Sequence, residues 1–241
     1  YDSMAAVIIK DMDAIKKEYG RKRRTAIENA EEAVYEEKKM EEMEVCFLMD
    51  RFGYMKLIDK NAYERNKEAV HNENKYVFNC MNTDKICIFT DTGKMHTIKA
   101  VDIPLGRFRD KGTPVDNLSN YDSSQERMLY VAPVGQLRSD RLLFVTKTSM
   151  CKLVEGAEFD VAKRTIASTK LADEDELIFI GSASEMEQIV LQSHGGCFLR
   201  FLTQEVSTMK KTALGVRGMK LADDDYLEHA YLLAGHQEYT I

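Results

Sequence analysis

Lys170-Leu-Ala-Asp-Glu-Asp-Glu-Leu177 returns fifty residues on as Lys220-Leu-Ala-Asp-Asp-Asp-Tyr-Leu227. A recurrence at this distance marks a repeat architecture, in which a unit is copied because one copy cannot bury its own apolar face. Outward from the octads a second feature recurs, two short apolar runs joined by a tight turn. Residues 45–49 lead to Gly53, 86–89 to Gly93, 142–145 to Ser149 and 189–191 to Gly195-Gly196. A short hairpin loop needs a positive φ, which glycine reaches without steric cost. Each turn is followed by an apolar-basic strand, over 54–58, 94–99, 150–154 and 197–202, and a further strand is expected at 76–81, 128–132, 177–180 and 227–233. The turns recur at intervals of about 40–56 residues, which excludes heptads and collagen and suits a blade of about four strands.

Gly106, Gly112, Pro114 and residues 117–120 read as an insertion over 104–124 that lengthens one loop. The alternative is an ordinary sandwich with chance octads, and the fixed order of octad, hairpin and following strand weighs against it. With Leu177 aligned to Leu227, the hairpin strand near Gln188 corresponds to residues 238–241. On that alignment the chain stops inside a fifth unit, by truncation or because a terminal strand closes a ring.

Before the repeats, Ala6, Ile9, Met12, Ile15 and Tyr19 are spaced by three and four, with Asp2 or Ser3 as cap and Gly20 as stop, which predicts one amphipathic helix over 3–18. Its stripe has no partner helix in this sequence, so it packs on the later domain or ends an element of a larger protein. Residues 28–44 are dense in Glu and read as a solvated connector. The expected division is therefore 1–43, helix and connector, and 44–241, the blade repeats.

At 241 residues, 44% hydrophobic and 31% charged, the chain can bury a substantial core, and no apolar run approaches the roughly 20 residues of a bilayer span. The first residues carry no export signal, so the expected location is the cytoplasm. Five cysteines without a C-x-x-C pair argue for reduced, mostly buried thiols rather than disulfides or a zinc ribbon.

The net charge of −6 hides a pattern, because the segment after each hairpin is basic and the octad that follows is acidic. Residues 200–220 hold Arg200, Lys210, Lys211, Arg217 and Lys220 against Glu205 alone; Lys163, Arg164 and Lys170 meet no acid between Val161 and Ala172; Lys99, Arg107, Arg109 and Lys111 outnumber Asp102 and Asp110. The first unit is poorer, with Arg65 and Lys67 flanked by Glu64, Glu68 and Glu73. In a ring of repeats equal phases lie at equal heights, so these segments predict a basic stripe suited to a polyanion, with phosphate contacts that are sequence-tolerant and salt-dependent. The bland reading is that the lysines solubilise exposed loops.

Three stretches carry a family resemblance. Tyr19-Gly20-Arg21-Lys22-Arg23-Arg24-Thr25-Ala26-Ile27, preceded by Asp13-Ala14-Ile15-Lys16-Lys17-Glu18, resembles the end of the breakage domain of bacterial type IIA topoisomerase A subunits, with Gly20-Arg21-Lys22 where the family usually has Gly-Asp-Glu. Phe52-Gly53-Tyr54-Met55-Lys56 resembles the Gly-Tyr-Ile-Lys turn of that family's first C-terminal blade, and Gly215-Val216-Arg217-Gly218-Met219-Lys220-Leu221 a recurrent blade connection. The resemblance implies an all-β fold, a β-pinwheel preceded by a short helix, with five or six blades where four hairpins are visible. It implies duplex DNA as ligand, bound and bent for strand passage. The implied protein partners are the B subunit together with the remainder of the A subunit. ATP, Mg²⁺ and the strand-cleaving tyrosine belong to other parts of such an enzyme, so no cofactor and no catalytic residue is expected here. The Gln-Arg-Arg-Gly-Gly-Lys-Gly box of gyrase A subunits is missing, and Tyr63-Glu-Arg-Asn-Lys-Glu-Ala-Val-His71 stands after the first turn instead. This favours topoisomerase IV-like relaxation and decatenation over negative supercoiling.

The chemistry-bearing clusters point no further. Asp173-Glu174-Asp175-Glu176 and Asp223-Asp224-Asp225 lack calcium-loop spacing, and His194-Gly-Gly-Cys197 offers two zinc ligands where four are needed, so it reads as a hairpin turn with a buried thiol. No phosphate-binding glycine loop or nucleophile elbow is present. The expected phosphate ligands are Lys163, Arg164, Lys210, Lys211, Arg217 and Lys220, with Lys56, Lys99, Arg107 and Arg109 secondary; the competing reading is a propeller-like protein-interaction scaffold.

Overall fold

The computed structural model describes residues 2–22, 24, 25 and 41–235. The chain divides into two compact units, Tyr1–Met40 and Glu41–Ile241. In the first, helix α1 (Asp2–Tyr19) carries Lys16 and Lys17 in its last turn, where cations meet the negative end of the helix dipole. The helix takes in both Asp2 and Ser3, so neither is the cap expected from the sequence. Residues 26–40, most of the acidic connector, and residues 238–241 lie outside the described residues.

The second unit opens with hairpin β1 (Glu44–Asp50) and β2 (Tyr54–Asp59), helices α2 (Lys60–Arg65) and α3 (Lys67–Glu73), and strand β3 (Asn74–Met81). Hairpin β4 (Lys85–Thr90) and β5 (Lys94–Lys99) leads to β6 (Thr113–Pro114), α4 (Val115–Leu118), β7 (Met128–Pro133) and α5 (Val134–Leu137). Then come hairpin β8 (Arg141–Thr146) and β9 (Met150–Glu155), β10 (Thr165–Ala167) and β11 (Leu177–Ser182). The last repeat is hairpin β12 (Gln188–Ser193) and β13 (Phe198–Leu202), β14 (Val216–Arg217) and β15 (Leu227–Leu233). All four turns take the positive φ they need, at Gly53 (81°), Gly93 (73°), Ser149 (71°) and Gly196 (82°). Ser149 is held there because its hydroxyl accepts the Met219 N–H at 2.7 Å and its carbonyl the Gly218 N–H at 2.7 Å.

The sheet orders are β3-β1-β2-β6, β10-β5-β4-β7, β11-β8-β9-β14 and β13-β12-β15. Each of the first three sheets is therefore finished by a short strand that follows the next sheet's hairpin: β6 pairs with β2, β10 with β5 and β14 with β9. We call these segments straps. Residues 104–124, expected to be a lengthened loop, contain the strap β6 and helix α4. A two-residue strand containing Pro114 has no periodicity to read, and its identity comes from its tertiary partner. The connection between β2 and β3 is likewise helical: Asp59 caps α2 by accepting the Ala62 N–H at 2.8 Å, and Val70 buries against Cys46, Leu48 and Ile58.

The edge strands opposite the straps neighbour one another in the succession β3, β7, β11, β15. The blades thus fan out from that shared edge, and the straps lie at the periphery. The core sits between successive blades, in one cluster joining the first and second sheets, one joining the second and third around Phe89, Phe144 and Phe159, and one joining the third and fourth. Cys46, Cys80, Cys87 and Cys151 are buried, whereas Cys197, expected to be buried in its turn, is exposed. Among the described residues no strand covers the outer side of β13, and Phe198, Leu199 and Leu202 are exposed with it.

Candidate nucleic-acid interface

The first and third straps follow one path. Leu105 and Thr208 enter through parallel bridges to Leu57 and Leu153. Gly112 (φ 82°) and Gly215 (φ 105°) turn the chain back, and Thr113 and Val216 pair with Met55 and Cys151. Residues 105–114 and 208–217 thereby align one to one. The second strap is shorter and pairs Thr165–Ala167 directly with His96–Lys94. All three straps close on the carbonyl of the turn residue, Gly53, Gly93 or Ser149, through the N–H of Val115, Ser168 or Gly218.

Three residues beyond each turn, one side chain fastens the strap. Lys152, 1% exposed, donates from Nζ to the carbonyls of Ala213 (2.6 Å), Lys211 (2.9 Å) and Lys210 (3.4 Å). Burial pushes its pKa down to about 8, with Glu158 opposing. Lys56 does the same for the first strap, donating to the carbonyls of Phe108 and Asp110, and burial lowers its pKa against the opposing charge of Asp110. Lys56, expected among the secondary phosphate ligands, thus directs its ammonium to the carbonyls of its own strap while still lining the cavity beside Arg109 and Lys111. A bare charge count does not reveal which way an ammonium points.

In the second blade this position is His96, with Nδ1 3.0 Å from Thr165 Oγ1 and Nε2 3.1 Å from Glu126 Oε1. Glu126 also accepts from the hydroxyls of Thr90 (2.8 Å) and Thr92 (3.0 Å). Burial pushes this carboxyl up, but the Thr90 hydroxyl, the His96 ring and the Thr92 hydroxyl outweigh it and hold the pKa below the usual carboxylate range. A folded-state pKa below the unfolded value contributes stability above the unfolded pKa that is lost as pH falls through the folded one. Glu126→Gln should therefore cost about 1–3 kcal/mol near neutral pH. In thermal melts the gap to the natural protein should narrow under acid, and a gap constant with pH would show that the ionised carboxylate contributes nothing.

Of the remaining expected ligands, Lys163 and Lys211, joined by Lys170, rim one open groove of about 930 Å³ floored by Val161, Ile166 and Ala167. The Lys170 N–H donates to the Lys211 carbonyl at 3.1 Å, tying the end of the second strap to the third. Arg164 does not line this groove and borders a small cavity with Lys99. Arg107 and Arg109 are exposed on the first strap, and Arg109 and Lys111 rim a cavity that also contains Asp50, Glu73 and Asp110. Lys210 lies 3.4 Å from Glu158, but at 80% side-chain exposure this pair is screened and weak. The Lys211 Nζ donates to the Glu158 carbonyl at 3.0 Å. Arg217, on β14, and Lys220 are exposed, outside both cavities.

The shared path puts Arg107 level with Lys210, and the closing bonds put Lys170 level with Lys220. Arg217 has Pro114 and Ala167 as counterparts, so it repeats in neither of the other straps. Lys170, which lines the groove, is absent from the ligands expected from the sequence, although its place at the head of the octad, repeated by Lys220, is the signal for it. The octad acids act at the turns: Asp175 accepts from Thr148 N (3.1 Å) and Oγ1 (2.6 Å), and Asp225 from Gly195 N (2.9 Å). The acidic and basic phases of the repeat thus serve different parts of each blade.

Blades completed by a strap from the following unit, with the cations carried on the straps, define a β-pinwheel. The family described as DNA gyrase C-terminal domain, beta-propeller, matches residues 84–123, 140–184 and 187–234, more than half of the chain, and the chain belongs to that family. It is 28% identical to the DNA gyrase A protein of Clostridium acetobutylicum over 90% of this chain and 28% of that one, and 28% identical to that of Salmonella typhimurium over 93% and 27%. The chain thus spans little more than a quarter of these relatives' length. Among solved structures it is similar in fold to the C-terminal domain of DNA topoisomerase IV, with a TM-score of 0.73 and 22% identity over 81% of this chain and 63% of that one. It is also similar to the E. coli ParC C-terminal domain, with a TM-score of 0.63 and 12% identity over 79% and 80%.

Proposed function

We propose that the blade domain binds duplex DNA through its phosphate backbone along the straps and bends it, within the A subunit of a type II topoisomerase that presents DNA for double-strand passage. The observation that carries the reading is the convergence of Lys163, Lys170 and Lys211 on one groove between two tied straps. Three lysines from two chain segments, the second strap and the third, offer point charges to a polyanion without base readout. The partners are the remaining A-subunit domains together with a B subunit. ATP and Mg²⁺ act in those other domains, and the site of action is the bacterial cytoplasm. In place of a gyrase box, α2 and α3 present Glu64, Glu68 and Glu73, which supports relaxation and decatenation rather than chiral wrapping.

Lys163→Gln, Lys170→Gln and Lys211→Gln together should weaken binding to every duplex sequence by at least about tenfold at low salt. The slope of log affinity against log salt should fall by about 3 units. Mobility shifts with one linear duplex at two salt concentrations measure both. Unchanged affinity would transfer the domain to the protein-scaffold reading.

A further inference from the structure

We propose that Lys152 is a positioning residue, whose caged ammonium sets the curve of the third strap so that the side chains of Lys210 and Lys211 are presented at the blade periphery. The inference rests, for its consequence, on the DNA-binding reading; the cage itself does not.

An ammonium has three N–H donors and no acceptor, and burying it is tolerable only when all three are met. Here they are met by three backbone carbonyls from a four-residue stretch, 210–213, while the nearby carboxylate of Glu158 pairs with Lys210 instead. Met or Leu at this position would avoid burying a charge, but would leave the three carbonyls without a donor unless the strap turned them out to water, so the ammonium is needed only where a strap curves inward. The fourth blade, whose outer edge has no strap among the described residues, has Leu199 there. The blades that hold a strap have Lys56, His96 and Lys152. In both long straps the same two aligned carbonyls turn inward, those of Phe108 and Asp110 in the first and of Lys211 and Ala213 in the third. The polar side chain thus occurs where a strap must be shaped, and the shape is reproduced with it.

Lys152→Met keeps the length and removes the donors. Trypsin cleavage after Lys210 and Lys211 should then accelerate by about tenfold or more while the melting temperature falls by no more than about 5 °C, because the strap opens locally and Met fills the vacated site. Duplex affinity should fall to that of the Lys210→Gln, Lys211→Gln double variant, and combining all three changes should cost nothing further, since residues acting through one another are not additive. An additive loss would mean that Lys152 acts through overall stability and would overturn the proposal, as would a strap that stays protected in Lys152→Met. If the natural protein fails to bind duplex at all, the DNA reading falls, and the trypsin comparison still decides whether the cage shapes the strap. Should Lys152→Met not fold, Lys56→Met supplies the same test on the first strap, read by cleavage at Arg107 and Arg109.

Discussion

Phe89→Ala should cost about 3–5 kcal/mol, the cost of deleting a buried aromatic ring that its surroundings cannot replace. Phe89 is fully buried on β4, and its ring meets Phe159 nearly perpendicular at 5.0 Å, Tyr130 at 6.1 Å and Phe144 at 6.3 Å. Phe144 belongs to the third sheet and Phe159 to the turn that follows its hairpin, so the ring is the seam between two blades. For a domain of this size the loss corresponds to a fall of about 10 °C in melting temperature. Phe89→Leu, which keeps most of the volume, should cost under about 2 kcal/mol. Melting curves followed by circular dichroism would compare the two, and an alanine variant within a degree or two of the natural protein would contradict the packing described.

Gly112→Ala should be nearly as damaging, and for a different reason. At φ 82° any side chain is strained, and a Cβ here would stand 2.6 Å from the Met55 carbonyl oxygen on the strand that the strap must meet. Gly196 provides the control, because it has the same φ of 82° but nothing within 4 Å of the added methyl. Gly196→Ala should lose only the conformational term, about 1 kcal/mol. Gly112→Ala should lose that and the strap's closure, about 3 kcal/mol together. Urea midpoints measure both, and equal losses would show that the close approach of strap and strand is relieved at no cost. Gly215, at φ 105° with a Cβ 2.8 Å from the Cys151 carbonyl oxygen, should follow Gly112.

The hairpins are legible because their information is local: an alternating or continuous apolar run, a residue that tolerates positive φ, and a second run. Even Ser149, which breaks the glycine pattern, is placed by its position in the repeat. The straps are not legible. Thr113–Pro114 and Val216–Arg217 are two residues long, and nothing in them states that their partner is the preceding hairpin. The charge phase is readable from composition along the chain, but the direction of each ammonium is not, and the turn of Lys56 toward its own strap is hidden on that account. Its real role does leave a trace, since Lys56, His96 and Lys152 all stand three residues past a hairpin turn. In Met150-Cys-Lys-Leu-Val154 a lone Lys interrupts an otherwise apolar strand, the pattern of a charge that must find partners inside. The helical connection 60–73 is likewise hidden, because its anchors, the buried Val70 and the half-buried Ala62 and Tyr63, are too few to show a period.

The exchange of straps has a bearing on how the chain matures as it leaves the ribosome. Strand β2 is complete at Asp59, yet its outer hydrogen-bonding edge stays open until Thr113 and Pro114 have emerged, after an entire second hairpin. The same delay separates β5 from β10 and β9 from β14. An open edge is a template for mispairing, so synthesis leaves each module vulnerable until its successor arrives. A nick or a lesion in one strap is accordingly felt one module upstream of where it falls in the gene.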